Sequence, residues 1–166
     1  MSVTLRPAAP GDVGFLVALL SHPEVAPFLA AVRASDAEAV LAEVRRAQEE
    51  PDGFGLLVVA PDGRPVGTVG WERVNRRSRI ASVSGLALDP RARGAGTAAT
   101  ALELLVDMLL EAHGFHRVQL EVYGFNERAA ALFERLGFTR EGVKRRASWR
   151  DDAWVDAVCF GLVAED

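Results

Sequence analysis

The stretch Leu88–Thr100, LDPRARGAGTAAT, constrains this chain more than any other. An apolar, strand-like run ends in Asp89-Pro90. Arg91 and Arg93 follow, then Gly94 and Gly96, and the apolar spacing of a helix starts at Thr97. The letters commit the backbone to a strand, a tight glycine turn and a helix. The first turn of a helix has unpaired N–H groups and a partial positive charge, which together suit a phosphate. Glycine lets an anion come close to the backbone, and the arginines can pair with phosphate oxygens. A plain strand-to-helix turn that needs glycine only for its geometry fits the same letters. The P-loop does not, because no Gly-Lys-Ser/Thr follows. The dinucleotide fingerprint G-x-G-x-x-A fits Gly94–Ala99, with Glu121 on the next strand where a ribose-binding acid is sought.

The flanking elements argue against a dinucleotide fold, which begins with this unit and continues in parallel strands. Here much precedes it. Val3–Ala8 reads as a short strand. Asp12 can cap a helix over Val13–Leu20, stopped by Ser21-His22-Pro23. Ser35, with Glu38 three residues on, forms a capping box for a helix that ends at Pro51-Asp52-Gly53. Phe54–Ala60, Val66–Val74 and about Arg79–Leu88 read as three strands of an antiparallel meander. The helix from Thr97 to about Ala112 carries Ala98, Ala101, Leu102, Leu105, Met108 and Leu109 on one stripe and Glu103, Asp107 and Glu111 on the other side. Arg117–Tyr123 alternates as a strand, so strand, helix and strand imply a parallel crossover. Asn126 can cap the next helix. Gly137 ends it in a left-handed conformation, with Phe138 folding back. A hairpin closes the chain: VKRRASWR, a turn at Asp151-Asp152-Ala153, then WVDAVCFGLV.

The 166 residues, 49% of them hydrophobic, suit one domain (1–166) with a sizeable core. A net charge of −4 argues against nucleic acid as the main partner. The single Cys159 excludes an internal disulfide and a cysteine zinc cluster, so no metal is expected. No apolar run approaches the roughly 18 residues of a membrane span, and the start carries no signal-peptide pattern. The expectation is a cytoplasmic protein without a membrane partner. A homodimer stays open.

The order of elements resembles the GNAT N-acetyltransferases over nearly the whole chain. Arg91-Ala92-Arg93-Gly94-Ala95-Gly96 matches the family's Q/R-x-x-G-x-G/A, the loop that cradles the acetyl-CoA pyrophosphate. Asn126–Phe138, NERAAALFERLGF, matches its N-x-x-A…L-[YF]-x-x-x-G-F block. The tail EGVKRRASWRDDAWVDAVCFGL is similar to that of the ribosomal-protein alanine N-acetyltransferases. The resemblance implies an α/β (α+β) fold. Its sheet is mixed and mostly antiparallel, of about seven strands, with a parallel splayed pair at the centre and helices on both faces. It implies acetyl-CoA as co-substrate and an amine acceptor, a protein N-terminus or a small molecule. Coenzyme contacts are implied at Leu86, Ala87, Leu88, Arg91, Arg93, Gly94, Ala95, Gly96, Thr97, Asn126 and Phe133. The backbone of Leu86 would hold the thioester carbonyl. For Asn126 a helix cap alone is the competing role, and for Leu86–Leu88 a plain core strand is compatible with the same contacts.

Direct attack on a thioester needs a free amine, and a carboxylate can take its proton. Glu121, in Leu-Glu-Val, is the first candidate base and Glu72 the second; each also fits a solvated strand position. The family often has a tyrosine seven residues after the asparagine to protonate the leaving thiolate. Here that residue is Phe133, with Tyr123 as a possible substitute. That departure motivates the rival reading, a GNAT-fold module that binds a CoA ester without catalysis. Cys159 is expected on the apolar face of the last strand, and His22, His113 and His116 at the surface. Trp71, Trp149 and Trp154 belong to the core or line the acceptor pocket. Ala129 and Ser148 stand where the ribosomal-protein enzyme has polar groups, which argues against that substrate.

Overall fold

The computed structural model describes residues 2–29 and 36–165. Their elements are β1 (Val3–Pro7), α1 (Val13–Leu20), α2 (Ala37–Glu49), β2 (Phe54–Pro61), β3 (Gly67–Asn75), β4 (Ile80–Leu88), α3 (Thr97–Asp107), β5 (Arg117–Tyr123), α4 (Glu127–Arg135), β6 (Thr139–Arg150) and β7 (Ala153–Val163). The seven strands form one sheet in the order β1-β2-β3-β4-β5-β7-β6. Every neighbouring pair is antiparallel except β4 and β5. The meander β2-β3-β4 and the parallel crossover through α3 are as the sequence implies.

The period-2 patterns divide the sheet into two faces. Leu57, Val69, Ala81, Val83, Val118, Leu120, Val122, Val158 and Phe160 form one core with Leu102 and Leu105 of α3, Leu109 just after it and Phe133 of α4. Leu56, Val58 and Ala87 form a second core with α1 and α2. Helices therefore cover both faces, and the two layers bury the stripes that the sequence shows. The stripe of α3 continues into a π-helical turn, Met108–Ala112, which Gly114 ends in a left-handed conformation (φ 69°). Gly137 ends α4 likewise (φ 95°). The N–H of Phe138 donates to the carbonyl of Phe133 at 3.0 Å, and the two rings meet edge to face at 5.6 Å, as a Schellman-type end requires.

The structure resolves or changes several local expectations. The capping box at Ser35 lies outside the described residues; α2 is capped by Asp36, whose Oδ1 accepts from the N–H of Ala39 at 2.9 Å. Asp12 does not cap α1 with its side chain. Its carboxylate instead accepts from the N–H of Ala9 and from both Nη atoms of Arg6, all at 2.8 Å, and so anchors the 3-10 turn Pro10–Asp12 to β1. Trp71 is core, stacked at a tilt against His113 with ring centres 4.8 Å apart. That contact leaves His113 half-buried.

The central irregularity positions the site. β4 and β5 pair only from Ile80–Arg117 to Ser82–Gln119. Beyond Ser82, β4 runs on to Leu88 without β5. Against β3, Ser84 pairs with Gly70 and Ala87 with Thr68, so Gly85 and Leu86 stand opposite Val69 alone. This is a β-bulge with Gly85 left-handed (φ 65°), and a bulge bends and twists its strand. The strands part here, opening the sheet between β4 and β5.

Candidate active site

A groove of about 1150 Å³ runs from this opening to the start of α3. One wall is Leu86–Leu88 with Gly94, Gly96, Thr97, Ala98 and Ala99. The other is Phe125, Asn126, Arg128, Ala129, Leu132 and Arg135, and Pro23–Val25, Phe28 and Leu29 close it from above. Gly94 and Gly96 have φ of 90° and 76°, a region closed to most side chains, and Gly96 is the N-cap of α3. A Cβ on either glycine would meet nothing within 4 Å. The loop therefore presents bare backbone to open space at a positive helix end, the geometry a phosphate group fits.

The two arginines of the loop take separate roles. Arg93 lines the groove and donates to the carbonyl of Glu24 at 3.1 Å, tying the loop to the segment after α1. Arg91 is turned to Asp89, with Nη2–Oδ2 at 2.9 Å, and is not part of the groove lining. Its guanidinium, helped by its own backbone N–H, holds the Asp89 carboxyl down at about 2. Ala95 is exposed and also outside the lining, while Thr97 is buried within it. Asn126 combines the two readings of its sequence position. Its Oδ1 accepts from the N–H of Ala129 at 3.2 Å as the α4 cap, and the residue lines the groove.

Phe133 departs from its expected place. Its ring is 4% exposed, lies between Phe138 and Phe160 at 5.6 and 6.1 Å, and is not among the groove-lining residues. Helical spacing explains this. Arg128, Leu132 and Arg135 recur at i, i+4 and i+7 and turn one side of α4 to the groove, and Phe133 lies about 100° or more round from each of them, in the core.

The two candidate bases separate as well. Glu72 pairs with Arg46 of α2 at 3.0 Å and stands opposite Ser82, toward the far end of β4 from the glycine loop. It is a strand-to-helix ion pair and does not line the groove. Glu121 lies on β5 beside the opening, on the same face as Arg117, Gln119 and Tyr123, as the alternation implies. It is 44% exposed and ion-paired with Lys144 of β6, whose ammonium it holds above the usual lysine range. Cys159 pairs with Glu121 across β5 and β7, and its Sγ lies 3.8 Å from Oε1. The cysteine is thus half-buried on the polar face, a correction to the expected apolar position. Burial first, then the Glu121 charge, pushes its thiol up. The apolar residues of β7 are its neighbours Val158 and Phe160.

Several groove residues carry no signal in the sequence. Phe28 and Phe125 are 48% and 47% exposed, with ring centres 6.1 Å apart. Phe125 stacks on Tyr123 at 5.2 Å, and the Arg150 guanidinium lies 5.5 Å from the Tyr123 ring while donating to the carbonyl of Ala26. These contacts join three segments distant in sequence. Gly85 did carry a signal, since an isolated glycine inside a strand marks a bulge. Trp149 and Trp154 form an exposed cross-strand pair, centres 4.9 Å apart, at the tip of the β6–β7 hairpin. Among the described residues no cluster of His, Cys, Asp and Glu can hold a metal, and no helix is long and apolar enough to cross a membrane.

Comparison with known proteins agrees with this architecture. The Acetyltransferase (GNAT) domain family matches residues 2–139. YokL, an SPbeta prophage-derived uncharacterized N-acetyltransferase of Bacillus subtilis (strain 168), is 28% identical over 119 residues, 72% of this chain and 67% of its own. A mycothiol acetyltransferase of Salinispora tropica is 34% identical over 150 residues, covering 83% of this chain but 45% of that protein. In fold, Mycobacterium smegmatis RimJ in complex with CoA-disulfide superposes with a TM-score of 0.86 at 23% identity, over 98% of this chain and 82% of that one. With the splayed β4–β5 pair and the glycine loop at the start of α3, the chain belongs to the GNAT acetyltransferase family.

Proposed function

We propose that this chain transfers an acetyl group from acetyl-CoA to a primary amine, by direct attack of the amine while both are bound. The observation that carries the reading is the meeting, in one groove, of the end of β4 that has parted from β5 with the bare N-terminus of α3. Gly94, Gly96 and Arg93 suit the pyrophosphate. Leu86–Leu88, free of β5, offer the pantetheine arm a strand edge. In this reading the backbone N–H of Leu86 donates to the carbonyl oxygen as negative charge develops there. The amine nitrogen forms its bond to the carbonyl carbon, the carbon–sulfur bond breaks, and the thiolate leaves. Glu121, on the polar face beside the opening, takes the amine proton. The thiolate needs no strong acid: a thiol pKa of roughly 8.5 makes leaving unprotonated at pH 7 cost only about 2 kcal/mol.

Thiol release with acetyl-CoA and an amine panel tests this reading. Turnover above hydrolysis is expected with at least one amine, and Glu121→Gln should lower kcat by about 10²-fold while acetyl-CoA still stabilises the protein to heat. Stabilisation without turnover would leave a CoA-ester-binding module, and near-normal turnover of Glu121→Gln would remove Glu121 as the base.

A further inference from the structure

The face of β5 beside the opening carries an unusual charge arrangement. Glu121 is paired with Lys144, and both are open to solvent, 44% and 60% exposed. The next residue on this face, Tyr123, lies about 7 Å along the strand and sits under the Arg150 guanidinium. The other acids nearby are engaged elsewhere: Glu141 by Arg117 at 2.8 Å, and Asp156 by the N–H of Arg146 at 2.8 Å. An approaching acceptor therefore meets one carboxylate with an ammonium at contact distance, and a second cation two residues on. A polyamine finds no run of carboxylates here. A lone alkylamine competes with Lys144 for Glu121 and offers the displaced ammonium no contact in return. An α-amino acid carries the complement of the pair, an ammonium next to a carboxylate, and can exchange with it so that every charge stays matched. Its side chain would meet the half-exposed rings of Phe125 and Phe28, which continue from Tyr123.

We infer that Lys144 is a specificity-determining residue, and that the acceptor is a free α-amino acid with an apolar side chain, its carboxylate bound by Lys144 and its amine by Glu121. This rests on the acetyl-transfer reading above for the position of the acceptor. The test uses L-phenylalanine, phenethylamine, which lacks only the carboxylate, and spermidine, with wild-type protein, Lys144→Met and Lys144→Arg. Lys144 is exposed, so melting temperatures should agree. In the wild type, kcat/KM for L-phenylalanine should exceed that for phenethylamine by about tenfold, the size of one charge-assisted contact, and the difference should lie in KM. Lys144→Met should abolish the preference and Lys144→Arg should retain it. A wild-type preference for spermidine or phenethylamine, or an unchanged ratio in Lys144→Met, overturns the inference. Titration calorimetry of L-phenylalanine into CoA-saturated protein separates the two readings. If no amine is turned over, the enzymatic reading fails alone. Weaker L-phenylalanine binding in Lys144→Met would then still uphold the inference, and absent or unchanged binding would sink it.

Discussion

The groove at the start of α3 and the face of β5 that carries Glu121 are built from different materials. The groove is backbone: two left-handed glycines, a helix end and a strand edge released by a bulge. The β5 face is side chains from separate strands, Glu121 from β5, Lys144 from β6 and Cys159 from β7. A backbone site tolerates many side chains but few backbone changes. A side-chain site is retuned by one substitution and leaves the fold alone. The difference teaches which region a single side-chain substitution can retune. On the proposed reading, the groove holds the coenzyme and the β5 face chooses the acceptor.

The sharpest break of this contrast is Gly96→Val. A β-branched residue at φ 76° is strained, at a cost on the order of 1–3 kcal/mol, and its side chain enters the space before α3. Acetyl-CoA at a hundred times its Kd should stabilise the native protein by about 2.7 kcal/mol and the variant by almost nothing. Thermal melts with and without acetyl-CoA measure both numbers. An unchanged ligand shift would show that the helix end is not the phosphate site.

A middle-sized effect is expected at Phe133, which belongs to neither region. The substitution Phe133→Tyr puts a hydroxyl among Phe138 and Phe160 without a partner, at a cost of about 1–3 kcal/mol. In a protein of this size that is a fall in Tm of about 2–4 °C per kcal/mol, and kcat should not rise. A faster enzyme with unchanged melting would place this ring at the thioester and move the acid role into α4.

The smallest effect separates two arginines that the sequence treats alike. Arg93→Ala should weaken CoA binding by about tenfold, because its guanidinium stands in the groove. Arg91→Ala should weaken it by less than about threefold, because that side chain is committed to Asp89. Binding isotherms for the two variants decide the order. Equal losses would mean that Arg91 leaves Asp89 when the coenzyme arrives.

Much of the groove was legible because its determinants are contiguous. Gly94 and Gly96 state the turn, the apolar period from Ala98 to Leu109 states the helix, and Asn126 to Phe138 states the second helix with its left-handed end. Each depends on the φ/ψ preferences and periodicity of neighbouring residues, which the chain carries wherever it folds. The β5 face was legible only by half. The alternation of Arg117, Gln119 and Glu121 predicts that they share a face, and they do. It does not say what faces them. Lys144 reaches Glu121 from 23 residues away, through a β6–β7 register that slips between Arg140 and Gly142 and again between Lys144 and Ser148. A slip of one residue turns a side chain to the opposite face. Cys159 falls on the polar face for a related reason: composition cannot tell which of two alternating sets in β7 meets the core. Local chemistry along the chain determined the glycine loop and the helix start at one end of the groove. Strand register, set by bulges and by packing between distant segments, decided which charges stand together on the β5 face.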